Sequence, residues 1–451
     1  MPTMIFNTRY YMNKLLLSGL ALLVSGYAAA QGTTADYNRA YALRKTFNAK
    51  QVHYSQVNPS WNENGNFFWY VRNTPEGPVY VKVDAKKQQR SQLFDHKKLA
   101  NALAGQSGKK VDEKQLPIQN CKVTNGMDTL FFSFNGTNWC YDIARDQLVG
   151  KGKTAAPGKQ RHWMEIDDEK SASPVPSPNG KYVAFIKNDN VYVKEVATGQ
   201  EKQLSIDGTL SNYYSSFISW SPDGTKVVSC RIRPVEKRFV YYVESSPTTQ
   251  LQPILHKQEY AKPGDELMFK VPCVFDVETG KRFIPSTDLF AHQYEISFPQ
   301  WNNDSKGVTF EYNERGHKVY RVLELSAETG QVRTLIEEKE DKYVNYPRIY
   351  RNYLKDGKHI LWTSERDNYN HLYLYDRATA RPVRQITKGE WYVRGVQHVD
   401  EANQLIYFSA NGMNKKEDPY LIHYYRIGFD GKNLTELTPE EGMHQAWYSP
   451  D

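Results

Sequence analysis

Long apolar runs, cysteines, catalytic signatures and net charge are all scarce in this sequence. Beyond a short run from Leu15 to Val24, no stretch approaches the ~20 apolar residues of a membrane helix, so no membrane span is expected. Only 4 cysteines occur, too few for a disulfide scaffold, and no Cys-x-x-Cys pair suggests a zinc or redox site. The 11 histidines are scattered, with neither HExxH nor His-x-His. Asp167-Asp168-Glu169 lacks the alternating oxygen ligands of a calcium loop, and no glycine-rich phosphate cradle is present. No metal and no cofactor are therefore expected. A G-x-S-x-G nucleophile elbow is also missing; Gly105-Gln106-Ser107-Gly108 has the wrong spacing and sits in a lysine-rich stretch.

Charge is nearly balanced, with 58 basic and 51 acidic residues giving +7. Arg9 and Lys14 lie in a segment read below as removable, which leaves 7 − 2 = +5. A surplus that small does not ask for a nucleic-acid partner.

What is present begins with a leader. Lys14, the apolar run Leu15 to Val24 and the small residues Ala28-Ala29-Ala30 make a secretory signal over residues 1–30, cleaved near Ala30. No cysteine stands at the cleavage point to accept a lipid. The expected location is secreted or periplasmic. There the thiols are permitted to pair, Cys121 with Cys140 and Cys230 with Cys273, or they stay free and buried; both readings stand.

Residues 31–50 read as an entry segment with a weakly helical look around Tyr37 to Leu43. The remainder, 51–451, is organised around Phe217-Ile-Ser-Trp220-Ser-Pro-Asp-Gly224. It is an apolar strand ending in Trp220, then a turn in which Pro222 presets φ and Gly224 supplies the positive φ that closes the hairpin. The unit recurs at Val57 to Gly65, in degenerate form at Asn120 to Gly126, at Val175 to Gly180, at Phe298 to Gly307, at Arg348 to Gly357, and from Gly395 to Ser409. A further copy, His444 to Asp451, starts and stops in mid-turn. Neighbouring turns are mostly about 43 to 53 residues apart, the period of four-stranded propeller blades. The aromatic richness, including 32 tyrosines, suits short strands that bury their faces against one another. The expectation is an all-β fold, a β-propeller with about seven complete blades and an eighth begun. A large insertion, about Arg233 to Val271, interrupts the fourth. The stretch His96 to Glu113 reads as a solvated connection with one helical turn at most.

Ser177-Pro-Asn-Gly180, Ala197-Thr-Gly199, Trp220-Ser-Pro-Asp-Gly224, Val277-Glu-Thr-Gly280 and the insertion segment Glu259-Tyr-Ala-Lys-Pro-Gly264 resemble the amino-terminal propeller of the prolyl oligopeptidase family, in its dipeptidyl peptidase IV branch. The likeness covers about residues 36 to 451. It implies the substrate-gating part of a secreted serine peptidase, with a peptide substrate reached through an α/β-hydrolase domain. No catalytic residue of that domain can be carried onto this sequence, so these residues alone are expected to be inactive. Members of that branch also grip the substrate's amino terminus with glutamates just ahead of a Trp-Ser-Pro-Asp-Gly turn. Here the matching stretch, Asp207 to Ser216, has no carboxylate after Gly208, and Tyr213 and Tyr214 stand in that place. Those tyrosines either line a peptide-binding opening or pack on strand edges. Arg231, Arg233, Lys237 and Arg238 either meet a peptide carboxylate or a hydrolase domain, or form a solvated strand edge that discourages aggregation. Glu365, Arg366 and Asp367 read as a surface ion cluster. A homodimer is a further expectation. The rival reading is a free-standing propeller that binds a protein or glycan partner.

Overall fold

The computed structural model describes residues 32–46, 53–54, 57–153, 169–170 and 172–450. The leader read in residues 1–30, the end of the entry segment, 47–50, and residues 51–52 lie outside the described residues. The chain divides into two units, Met1–Gly158 with Ser449–Asp451, and Lys159–Tyr448. Strands dominate both, the two α-helices among the described residues lying in the first unit, and the described strands form six four-stranded sheets, one five-stranded sheet and one two-stranded hairpin. Every strand pair is antiparallel, and each four-stranded sheet is a meander in chain order. No helix among the described residues is long and apolar enough to cross a membrane.

The first unit holds two sheets. One comprises Ser60–Trp61, Phe67–Thr74, Gly77–Asp84 and Gln89–Gln92; the other Gln119–Val123, Thr129–Phe134, Thr137–Asp142 and Gln147–Lys153. A helix occupies Thr34–Thr46, with Tyr37 and Tyr41 exposed. The connection expected to be solvated is instead a 12-residue helix, His96–Ser107. Asp95 caps it by accepting from the backbone N–H groups of Lys97 and Lys98, and Gly108 closes it at φ 66°. Leu99, Ala100 and Leu103 share one face and are buried with Tyr80, Phe94, Leu130 and Tyr141. The lysines of the segment cover the opposite face, which is why its composition looked solvated.

The second unit holds five larger sheets, the third to the seventh in chain order. The fourth comprises Tyr213–Trp220, Lys226–Arg233, Phe269–Asp276 and Arg282–Phe283. The insertion between its second and third strands is a two-stranded hairpin, Phe239–Glu244 with Ile254–Glu259. The fifth has Gln293–Ile296 and Gln300–Trp301 both paired to Gly307–Glu314, followed by Val319–Ser326 and Val332–Lys339.

The recurring turn does more than reverse the chain. In Ser221-Pro-Asp-Gly224, the Gly224 N–H donates to Ser221 O at 2.8 Å, and Asp223 Oδ1 accepts from the Ser221 hydroxyl at 2.6 Å and the Thr225 N–H at 3.0 Å. Gly224 has φ 69°, which favours glycine, and a Cβ there would lie 2.5 Å from Asn179 Nδ2 and displace that side chain. That Asn179 belongs to the equivalent turn of the third sheet and donates to Gly224 O at 3.2 Å. The motif tryptophans tie the first strands of successive sheets: Trp220 Nε1 donates to Val175 O at 2.9 Å, and Trp301 Nε1 to Ser219 O at 3.1 Å. Between the ties lie shared apolar layers. Ala184, Val193, Val227 and Phe275 join the third and fourth sheets, and Val228, Val274, Phe310 and Leu325 the fourth and fifth. Repetition in the sequence is thus repetition of an inter-sheet contact.

All four cysteines are free. Cys230 faces Pro272 in the register while Cys273 faces Ser229, so the two thiols project to opposite faces of the sheet and cannot bridge. Cys121 and Cys140 lie on strands separated by Thr129–Phe134, two strand spacings or roughly 9.5 Å apart, beyond the roughly 7 Å that a disulfide spans. The free-thiol reading is the one the fold admits for both pairs.

Candidate functional site

Tyr213 and Tyr214 open the first strand of the fourth sheet, and Arg231 and Arg233 close its neighbour. Pairing sets Tyr214 directly against Arg231. Both reach Asp207: Arg231 Nη1 sits 2.9 Å from Oδ2, and the Tyr214 hydroxyl donates to Oδ1 at 3.1 Å. Arg282 completes the set, its Nη1 2.8 Å from Oδ1. Burial works against the Asp207 charge, but the Tyr214 hydroxyl and the Arg282 and Arg231 guanidiniums outweigh it and hold the carboxyl below the ordinary aspartate range. The cluster joins one carboxylate to two guanidiniums and a hydroxyl, so its charge is already more than matched by basic partners.

Neither tyrosine lies on a loop. Tyr214 is fully buried, edge-on to Phe275 at 5.5 Å, and burial raises its hydroxyl pKa. Tyr213 packs with Cys230, Ile232 and Met268, with the Lys170 ammonium 4.2 Å from its ring centre. Arg233 stands apart, its guanidinium 5.1 Å above Phe269. Lys237 pairs with Glu259 at 2.7 Å, and Arg238 with Glu236 at 3.4 Å.

Beside them lies a residue that the sequence reading weighed only as part of an acidic triplet. Glu169 is 6% exposed. Its Oε1 is 2.5 Å from Lys270 Nζ and its Oε2 accepts from the Ser215 hydroxyl, while its carbonyl accepts from the Ser216 N–H at 2.7 Å and hydroxyl at 2.9 Å. Lys270 is fixed in turn by Gln293 of the fifth sheet, which accepts from its N–H at 3.0 Å and donates to its carbonyl at 2.8 Å. Asp167 and Asp168 lie outside the described residues. The adjoining thiols are not activated, since burial pushes Cys273 up to about 12 and Cys230 higher still. Among the described residues no three His, Cys, Asp or Glu side chains are grouped to hold a metal.

Two further buried acids escaped the sequence reading. Glu338 accepts from Trp362 Nε1 at 2.8 Å, the Ser364 hydroxyl at 2.8 Å and Arg366 Nη2 at 2.6 Å. Arg366, expected in a surface ion cluster, instead lies over Tyr373 and Tyr375 at 4.8 and 5.6 Å. Its sequence neighbours are the surface part: Glu365 accepts from the Tyr392 hydroxyl and Asp367 from Gln385, both at exposed positions. Glu311 is 7% exposed, in the middle of Gly307–Glu314, the first long strand of the fifth sheet. Its carboxylate accepts from the Tyr320 hydroxyl at 2.6 Å and pairs with Arg351 Nε at 2.5 Å. Glu311 borders a cavity of about 300 Å³ that Glu295, Ser297, Asn313, Tyr346 and Arg351 also line. At Glu311 the available signal was a glutamate between Phe310 and Tyr312 inside an apolar strand, where only a paired charge is tolerated; Glu338 stands in the charged run Glu337 to Lys342, which gave none.

The comparisons agree with one another. Residues 123–451 match the model of the family described as dipeptidyl peptidase IV (DPP IV) N-terminal region. The chain is 24% identical over 345 residues to a protein of Aspergillus oryzae named probable dipeptidyl-aminopeptidase B, which covers 68% of this chain and 36% of the relative. It is 25% identical over 345 residues to dipeptidyl-aminopeptidase B of Aspergillus niger, with the same coverage of 68% and 36%. The chain thus spans about a third of the length of these relatives. Among solved structures it is similar to dipeptidyl peptidase 4 of Porphyromonas gingivalis, with TM-score 0.48 and 16% identity, covering 91% of this chain and 56% of that one.

Proposed function

This chain belongs to the family of dipeptidyl peptidase IV N-terminal regions, and on that footing we infer that it is the substrate-gating part of a serine-type peptidase. The observation that carries the reading is the family match across residues 123–451. The seven larger sheets are read as blades of a β-propeller over residues 51–451, about seven complete and an eighth begun. Blades of this kind restrict which peptides pass and leave bond cleavage to residues elsewhere. The absence of G-x-S-x-G from the sequence supports that division of labour. The leader in residues 1–30 supports a secreted or periplasmic location.

Removal of amino-terminal dipeptides is not the activity these residues favour. No carboxylate lies between Gly208 and Trp220, and Asp207 is already held by two guanidiniums. An ammonium arriving there would be desolvated without a partner. We therefore read the gated substrate as an oligopeptide recognised away from its amino terminus.

A homodimer fits the insertion hairpin, on which Tyr241, Val243, Leu251 and Leu255 are 60%, 60%, 92% and 66% exposed. Sedimentation equilibrium is expected to return a dimer that Leu251→Asp with Leu255→Asp converts to a monomer; a monomeric parent sinks that part.

Purified residues 31–451 are expected to leave peptide substrates intact. Cleavage abolished by a serine-directed inhibitor overturns the gating reading. Sequencing past the codon for Asp451 offers an independent check, since an in-frame G-x-S-x-G supports the peptidase and an immediate stop with no hydrolase frame nearby favours the free-standing binder.

A further inference from the structure

His423 is 4% exposed, and both of its ring nitrogens face oxygen atoms that only accept. Nδ1 lies 2.6 Å from the Thr438 carbonyl oxygen, and Nε2 lies 2.9 Å from Glu417 Oε2. A neutral imidazole has a single N–H and serves only one of them. The ring therefore carries both protons and is an imidazolium. The groups around it agree with that assignment. Asn414 Nδ2 donates to Glu417 Oε1 at 2.6 Å, which favours the carboxylate, and Glu436 Oε1 stands 3.7 Å from Nδ1. His444 faces the ring at 5.0 Å between centres, and Ala410, opposite on the neighbouring strand, is uncharged. Burial works against the charge, but the Thr438 carbonyl, Glu417 and Glu436 outweigh it and hold the His423 pKa above its ordinary value of 6.5.

These two bonds join separate parts of the chain. His423 sits near the start of Ile422–Gly428, the third strand of the seventh sheet. Glu417 belongs to the connection 412–421 that leads into that strand from Leu405–Asn411, and Thr438 follows the last strand, Thr435–Glu436. The other ties of the connection are Met413 against the apolar layer, Asn411 Nδ2 to Pro419 O at 2.5 Å and Lys415 Nζ to Glu390 O at 2.7 Å. Lys415 and Lys416 are exposed. Loss of one proton from the ring removes one of its two bonds and leaves a lone pair facing an oxygen. Glu417 is the partner that yields, because Thr438 is also held through its hydroxyl, which accepts from the Tyr424 N–H at 3.0 Å.

We propose that His423 is a proton-operated latch: as an imidazolium it holds the connection 412–421 against the seventh sheet, and on losing a proton it releases Glu417 and loosens that connection. The folded pKa is raised, so the hold is fully present below pH 6.5 and is lost as pH rises through the folded value. The proposal does not depend on the gating reading, and failure of either leaves the other standing.

Two measurements on the purified chain test it. Long-range proton–nitrogen NMR is expected to show both nitrogens of the His423 ring protonated at pH 6.5, with titration above that value. Trypsin cleavage after Lys415 and Lys416, followed by mass spectrometry and normalised to a free peptide of residues 411–422, is expected to be at least about five-fold faster near pH 9 than at pH 6.5. His423→Gln cannot donate to both acceptors and is expected to be cut at the faster rate at both pH values. If His423→Gln does not fold, Glu417→Gln decides, since it is expected to move the titration of the ring towards 6.5 and to carry the change in cleavage with it. The proposal is overturned by a ring that titrates at or below 6.5, by normalised cleavage that does not change with pH, or by a change that survives in His423→Gln or stays in place in Glu417→Gln.

Discussion

The fourth and fifth sheets stand side by side, and each buries a glutamate with a basic partner near its first strand, yet the two places end differently. At the fourth, Glu169 and Asp207 are met by Lys270, Arg231, Arg282, Tyr214 and Ser215, and every carboxylate oxygen has a partner. At the fifth, Glu311 is met as fully, but a cavity opens beside it and the Asn313 amide is left with a donor unused. A polar cluster that is complete holds a fold together, whereas a donor left unpaired in the interior costs stability. Of the residues singled out from the sequence, Tyr213, Tyr214 and Arg231 fall at the complete site and Arg233 stands apart over Phe269.

The comparison breaks most visibly at Lys270. Lys270→Ala strands the buried Glu169 carboxylate and is expected to cost about 3 kcal/mol in urea unfolding. Glu169→Gln is expected to cost about half as much, because the Lys270 side chain is 29% exposed and its ammonium can turn to water. Equal costs for the two would mean that the pair is solvated alike on both sides.

Tyr214→Phe comes next. It removes the hydroxyl donated to Asp207 and keeps the ring against Phe275, so a loss of about 1 kcal/mol is expected in the same assay. No loss would place the hold on Asp207 in the arginines alone.

Acid titration probes the same carboxylate with a smaller effect. The folded pKa of Asp207 lies below its ordinary value of 3.8, so the unfolded chain binds the proton more readily. The contribution of Asp207 is fully present above about pH 4 and is lost as pH falls through the folded pKa. Asp207→Asn is expected to unfold less steeply below pH 4 than the parent; identical acid limbs would show that its partners do not favour the charge.

How much of this the sequence could convey depended on how local each interaction is. The turns at Ser177 to Gly180 and Ser221 to Gly224 were legible because Pro, Asp or Asn and Gly act within four residues, and the strands because aromatic and branched residues alternate around them. The helix His96–Ser107 was half legible: Asp95, Leu99, Leu103 and Gly108 signal it, but the lysines between suggested water. Tyr213 and Tyr214 kept their place next to the motif, yet their burial follows from a strand paired with Arg231 and Ile232 on one side and closed off on the other by Asp189 and Glu169. The pairs that matter most to the sites were out of reach. Glu169 meets Lys270 across 101 residues and Glu338 meets Arg366 across 28, and only the stacking of sheets brings either pair together. Cys230 and Cys273 are kept apart by register, since one step along a strand moves a thiol to the opposite face, and Cys121 and Cys140 by an intervening strand.

The contrast between the two sheets is tested most directly by urea unfolding of Lys270→Ala and Asn313→Ala, each measured beside the parent chain. A complete cluster and an incomplete one predict a loss of about 3 kcal/mol for the first and within about 1 kcal/mol of the parent for the second, because Asn313→Ala removes an unsatisfied donor together with one bond to His317. Equal losses, or a larger loss at Asn313, would contradict it.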